Sequence, residues 1–235
     1  MSSTEDEWQK FYLGEVPPLS FFFERITEIK RLAGSPPSDD GINILRELCL
    51  IGLAAYFEAY CKAQFAAIIN IHPPILRKFV EQNKECTLGL RDIIGIIPDI
   101  NYRIGSLLSE QFDFGSAKEI NSRFCSLLKI TPLSKKESKR YEEFLTQRNL
   151  LVHHGGIFTM KYQRKKLEED QQFDMAHRGS LVIKQEDIES WSEFLWGVAQ
   201  KVGYKSQDAL QNELDKEGVE LHDDRFVAFA LMNLS

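Results

Sequence analysis

Residues 42–71, INILRELCLIGLAAYFEAYCKAQFAAIINI, decide the fold class. Leu50, Leu53, Phe57, Cys61, Phe65 and Ile68 follow i+3 and i+4 steps, and the flanking positions are also apolar. Apolar residues at that period predict a helix, and a helix apolar on most sides lies in the middle of its domain. The longest apolar run within it, residues 48–57, falls far short of the roughly 20 residues that a membrane span needs. This helix is therefore expected to be covered by other helices.

Working outward, residues 19–32 have helical spacing, and Gly34-Ser35-Pro36-Pro37-Ser38-Asp39-Asp40-Gly41 is a break. Pro73-Pro74 suits the first turn of a following helix that runs to about Gln82. Residues 88–108 carry Ile pairs that fit short helices or strands, interrupted by Gly89, Gly95, Pro98 and Gly105. A helix is predicted over residues 116–128, with Ile120, Phe124, Leu127 and Leu128 on one side. Ser134-Lys-Lys-Glu137 is a capping box. It starts a helix whose inward stripe is Tyr141, Phe144, Leu145, Leu151 and Val152, with Gly155 as the stop. Residues 163–180 are polar and read as a loop. Residues 179–187 form a short extended segment before a helix over 187–204 that buries Ile188, Trp191, Leu195 and Val198. The Trp residues read as core rather than as ligand platforms. The apolar patch at 226–231 is expected to be a terminal helix that packs back. The reading is an all-α bundle around a long buried central helix, with minor or no strand content. It comprises a flexible N-terminal arm (1–16), one helical domain (17–205) and an acidic C-terminal extension (206–235) packed on that domain.

At 235 residues, with 43% hydrophobic and 27% charged residues and sixteen Phe, the chain can build one substantial core. The four cysteines, Cys49, Cys61, Cys86 and Cys125, are scattered without a CxxC pair, which argues against a zinc site or a disulfide framework. Cys49 and Cys61 lie in the apolar segment and are expected to be buried thiols. The acidic start lacks an apolar stretch of signal-peptide type. A reducing, cytoplasmic setting is expected, without membrane association. A net charge of −6 argues against coating nucleic acid through bulk electrostatics. The charge is uneven, however: residues 135–166 hold nine basic and three acidic side chains, and residues 205–235 hold three basic and seven acidic ones.

The basic stretch contains Arg148-Asn149-Leu150-Leu151-Val152-His153-His154-Gly155-Gly156. Arginine is a permanent cation with a planar fork suited to phosphate, and histidine exchanges protons near neutral pH. Cleavage of RNA by its own 2′-hydroxyl needs a base for that hydroxyl, an acid for the leaving 5′-oxygen, and positive charge at the phosphorane. On an ideal helix five residues turn about 500°, which leaves Arg148 and His153 about 140° apart. One copy supplies a single acid–base group, so a two-fold dimer bringing two Arg148 and two His153 together would complete the set. The plainer alternative for His153 is a helix-end histidine favoured by the macrodipole. Tyr162, Arg164, Lys165 and Lys166 are candidates to grip an RNA backbone beside the site, against the alternative of a solvated basic loop. His72 reads as structural. His177 and His222 have no carboxylate or Cys at ligand spacing, so no metal site is expected. No P-loop, G-x-G-x-x-G or G-x-S-x-G motif is present, and no cofactor is expected.

Arg148-Asn149-Leu-Leu-Val-His153, with a polar residue after the arginine, resembles the R-x4–6-H motif of the HEPN superfamily, the higher eukaryotes and prokaryotes nucleotide-binding domains. Gly155-Gly156-Ile157, Lys161-Tyr162 and Gly179-Ser-Leu-Val-Ile183 before a closing helix are similar to the RiboL-PSP-like and related stand-alone groups. Ala55-Tyr56-Phe57-Glu58-Ala59-Tyr60 is similar in style to their central helix, and the resemblance covers roughly residues 42–204. It implies a helical bundle that dimerises with both motifs at the interface. Many members are metal-independent endoribonucleases of defence or toxin systems, some with an antitoxin or other protein partner. Carried over, Arg148 would orient the scissile phosphate, His153 or His154 would be the acid–base, and Asn149 would position them. Other members bind nucleotides or serve as interaction modules without catalysis.

Overall fold

A computed structural model of the chain describes residues 7–35, 41–82, 87–97, 99–168 and 179–234, without the side chains of residues 82 and 165–168. Its helices are α1 (Pro18–Ala33), α2 (Ile44–Ile71), α3 (Leu76–Gln82), α4 (Leu90–Gly95), α5 (Ile100–Ser109), α6 (Ala117–Leu128), α7 (Lys135–His154), α8 (Met160–Glu168), α9 (Gln185–Glu217) and α10 (Asp223–Leu231). The architecture is all-α. Among the described residues the one β feature is an isolated antiparallel bridge between Ile157 and Ser180. No helix there is long and apolar enough to cross a membrane.

The central position of α2 follows from its sequence. Asn43 caps it by accepting a hydrogen bond from the Arg46 amide at 3.1 Å. From Gln64 to Ile71 every residue is buried. Around α2 stand α1, α5, α7, α9 and α10. Phenylalanine and tyrosine join the layers. Phe22 of α1 stacks on Tyr60 at 5.4 Å, and Phe57 meets Tyr141 of α7 edge-on at 5.2 Å. Tyr141 then stacks on Phe144 at 6.0 Å, and Phe144 meets Trp191 of α9 at 5.2 Å. A second cluster forms where Phe65 meets Phe79, Phe112, Phe114 and Phe124 at 5.5–6.1 Å, tying α3, the α5–α6 turn and α6 to the central helix. The Tyr60 hydroxyl donates to the Ala199 carbonyl at 2.7 Å.

Several boundaries differ from those expected. Residues 7–15 are not a loose arm. They form two short 3-10 turns that bury Phe11 and Tyr12, and the Tyr12 hydroxyl donates to the Ala228 carbonyl of α10. Residues 88–108 resolve into α4 and α5, and Gly105 is not an interruption but an interior position of α5. A β-carbon there would lie 2.3 Å from the Ala66 carbonyl oxygen, so the missing side chain is what lets α5 approach α2. Residues 163–168 continue α8, whereas 169–178 lie outside the described residues. Helix α9 runs through residue 205 without a break, to Glu217, and buries Ser206, Leu210 and Leu214. The C-terminal segment does pack back, through α10 onto the N-terminal turns and α2. Cys49 and Cys61 are buried as expected, and Cys86 is outside the described residues.

Candidate functional site

The candidate site lies at the C-terminal end of α7. Ser134 and Glu137 form the expected reciprocal capping box at its start. At its end Gly155 adopts the left-handed conformation (φ 57°), followed by Gly156 at φ 79°. The Gly155 amide donates to Leu151 O at 3.1 Å and the Gly156 amide to Leu150 O at 3.0 Å, a paired closure of the last turn. The chain beyond is fixed by two backbone hydrogen bonds, Phe158 N to Gly179 O and Leu181 N to Gly156 O, each 2.8 Å. The extended segment read from residues 179–187 thus pairs with the residues that follow the motif and leads directly into α9.

On this rigid end the motif side chains divide between two faces. Helix α7 remains α-helical through His154, so the angular separation of Arg148 and His153 expected from ideal geometry stands. Arg148 is half-buried, on the side of Tyr141 and Leu151, and its Nη1 donates to Asn149 Oδ1 at 3.1 Å. Among the described residues no carboxylate pairs with this guanidinium. Asn149 is exposed and stands one helical turn before His153. His153 and His154 are both exposed, with ring centroids 6.5 Å apart and planes at 69°. The structure therefore joins Arg148 to Asn149 and sets the two imidazoles beside each other in solvent. It forms no hydrogen bond between Arg148 and either histidine.

Behind Arg148 the hydroxyl of Tyr141 is buried without a hydrogen-bond partner among the described residues. Burial holds its pKa well above the usual phenol value, the charges of Glu58 and Asp113 push it further up, and the charge of Arg148 draws it down.

The structure also brings to the motif a group that sequence reading missed. A methyl group on Gly156 would lie 3.9 Å from Glu47 Oε1, because the first turns of α2 run beside the end of α7. Glu47 is half-buried, and burial raises its carboxyl above the ordinary range. No local pattern marks it, since only the packing of α2 beside the end of α7, distant in sequence, places it there. Exposed apolar side chains occur on the same elements: Ile44 and Leu48 in the first turns of α2, then Val152 at the end of α7, and Ile157 (61% exposed) and Met160 (82%) beyond it.

The other predicted contacts separate. Tyr162 is buried and stacks on Phe158 at 5.1 Å, so its ring packs inward instead of facing a strand of RNA. Arg164 is exposed. The side chains of Lys165 and Lys166 lie outside the described residues, as does His177. His72 is buried, with Nε2 3.0 Å from Glu217 Oε2, in keeping with a structural role. Among the described residues no group of three or more His, Cys, Asp or Glu side chains is gathered for a metal ion. Compared with known proteins, the chain matches no family model, and neither a curated protein nor a solved structure shows significant similarity to it.

Proposed function

We propose that this protein is a metal-independent endoribonuclease that works as a two-fold dimer, with the ends of two α7 helices facing one cleft. The observation that carries the reading is the state of Arg148. It is half-buried, hydrogen-bonded to Asn149, and without a carboxylate partner among the described residues, five and six residues before two solvent-facing histidines. A guanidinium held in place but not neutralised suits an incoming phosphate. Exposed imidazoles suit proton exchange with a substrate and with water. Arg148 orients the scissile phosphate and stabilises the charge of the phosphorane. His153, or His154 in its place, takes the proton of the 2′-hydroxyl, and its counterpart in the second copy protonates the leaving 5′-oxygen. Asn149 holds the guanidinium toward the cleft. The resemblance to the HEPN motif points the same way. So do the exposed apolar side chains of Ile44, Leu48, Val152, Ile157 and Met160, residue types that a protein interface would cover.

A second reading, a non-catalytic module that binds a nucleotide or a protein, is favoured by the separation of Arg148 and His153 onto different faces of one helix. The experiment that decides is cleavage of single-stranded RNA by the purified chain in EDTA, with Arg148→Ala and His153→Ala beside the parent. The ribonuclease reading expects cutting that both variants lose. RNA left intact by a parent that binds nucleotide or a protein would establish the module.

A further inference from the structure

The motif is at one end of α7, and the other end borders an open groove that the site does not use. Asn121, Thr131, Lys135, Ser138, Lys139 and Glu142 line this groove, whose volume is about 460 Å³. Its walls are fixed. Asn121 both donates to and accepts from the Leu133 backbone at 2.9 Å, and Ser134 is held in the capping box. That box already satisfies the helix end, so any affinity for anions comes from the side chains. Lys135 and Lys139 are exposed and form no ion pair among the described residues.

The groove shares one face of α7 with the His153 and Asn149 side of the motif. Lys135 precedes His153 by 18 residues, five full turns, and so has the same azimuth about 27 Å away. Lys139 precedes it by 14 residues, about 21 Å and 40° off that line. Between them Asn149 is exposed on the same face. Glu142 also lies on it, and is the one acidic side chain lining the groove.

We infer that the groove is a second subsite for the RNA backbone, in which Lys135 and Lys139 hold phosphates of the strand whose scissile bond is at the motif, with the exposed face of α7 as the track between. The inference rests on the ribonuclease reading. A strand stacked at about 3.4 Å per nucleotide, as in a DNA duplex, would cover about 21–27 Å with about six to eight nucleotides, and a more extended strand with fewer. The substrate class is thus single-stranded RNA extending at least that far to one side of the cut. Shorter oligonucleotides reach the motif but not the lysines.

The test uses the full chain with oligoribonucleotides of graded length, reading kcat and KM separately. For the parent, KM should fall about tenfold as the strand becomes long enough to reach the groove. The double variant Lys135→Gln, Lys139→Gln should lose that advantage, so that long substrates behave like short ones. The slope of log(kcat/KM) against log salt for long substrates should become shallower by about 1.4, at about 0.7 per released single-strand phosphate. Glu142→Gln should lower KM for long substrates, the opposite sign, which a merely structural role of this face would not produce. Lys30→Gln, at an exposed position of α1 that does not line the groove, should keep the length dependence of the parent. A parent whose KM ignores length, or a double variant that cuts long and short RNA as the parent does, overturns the subsite while leaving the ribonuclease reading intact. So does a double variant that cuts normally yet loses an acidic protein partner, which would assign the groove to protein. A parent that cuts no RNA of any length removes the ribonuclease reading, and the subsite with it.

Discussion

Replacing Gly105 by Ala tests the packing that places α2. In the interior of an exposed helix this change stabilises, by about 0.5–1 kcal/mol, because alanine loses less backbone entropy on folding. Here the added methyl would stand 2.3 Å from Ala66 O, 2.8 Å from Asn70 Oδ1 and 2.8 Å from Ile69 Cβ. A carbon–oxygen contact settles at about 3.3 Å or more, so α5 must retreat from α2 by about 1 Å. Overpacking of that kind costs about 1–3 kcal/mol. The retreat also strips Asn70, which is fully buried, of the hydrogen bond it accepts from the Gly105 amide at 2.6 Å and the one it donates to Ser106 Oγ at 3.1 Å. Leaving such groups unmet costs about 1–3 kcal/mol more. The expected net loss is about 2–4 kcal/mol, seen as a fall in Tm of about 4–16 °C for a chain of this size. A urea titration followed by the fluorescence of Trp8, Trp191 and Trp196 measures it. The internal comparison is Gly197→Ala in the middle of α9, where nothing lies within 4 Å of the added carbon. That variant should gain about 0.5–1 kcal/mol. A Gly105→Ala protein as stable as the parent, or more so, would refute the close approach of α5 to α2.

Phe57→Ala, which removes the ring packed between Phe22, Tyr60 and Tyr141, should cost about 3–5 kcal/mol in the same titration. A loss below about 1 kcal/mol would mean α2 is not central. Glu137 gives a pH signature. Burial opposes its charge, but hydrogen bonds from Lys201 and Ser134, and the charge of Lys201, outweigh that and bring its pKa to about 2 from 4.5. A folded value below the unfolded one stabilises at neutral pH, and the contribution is lost as pH falls from about 5 toward 2. For this partly exposed group it amounts to about 1–3 kcal/mol. Glu137→Gln should flatten stability against pH in that window, and an unchanged profile would remove the assignment. Glu47 has the opposite sign. Its raised carboxyl penalises the folded state above the ordinary carboxylate pKa, so Glu47→Gln should match or exceed the parent's stability at pH 7. Met160→Asp with Ile157→Asp should shift sedimentation from a dimer toward the 27.1 kDa monomer without loss of helical signal. A parent that sediments only as monomer contradicts the two-fold assembly.

What was legible in the sequence was local. The period of α2, the Ser134–Glu137 capping box and the Gly155 stop are patterns within one segment, and each stands where it was read. The cap of α6 follows the same logic, with Ser116 accepting from the Glu119 amide at 3.2 Å. What was not legible depends on the register between segments. Gly105 looks like a helix breaker until Ala66 is placed against it. Phe11 and Tyr12 carry no period of their own and are ordered by α10, more than 200 residues away. Of the candidate site, the identities of Arg148, Asn149, His153 and His154 were readable from spacing. The inward side of Arg148, the burial of Tyr162 and the approach of Glu47 to Gly156 were not.

The chemistry at the end of α7 is tested most directly by the products it forms. The purified protein, in EDTA, is incubated with a single-stranded RNA and with the DNA copy of the same sequence. The cut ends are then analysed beside those from Arg148→Ala, His153→Ala and His154→Ala. RNA alone should be cleaved, because the 2′-oxygen is the nucleophile, leaving 2′,3′-cyclic phosphate and 5′-hydroxyl ends. Arg148→Ala and one of the two histidine variants should each slow it by about 10²-fold or more. Cleavage that persists at the parental rate in all three variants, or RNA left intact by the parent, would contradict it.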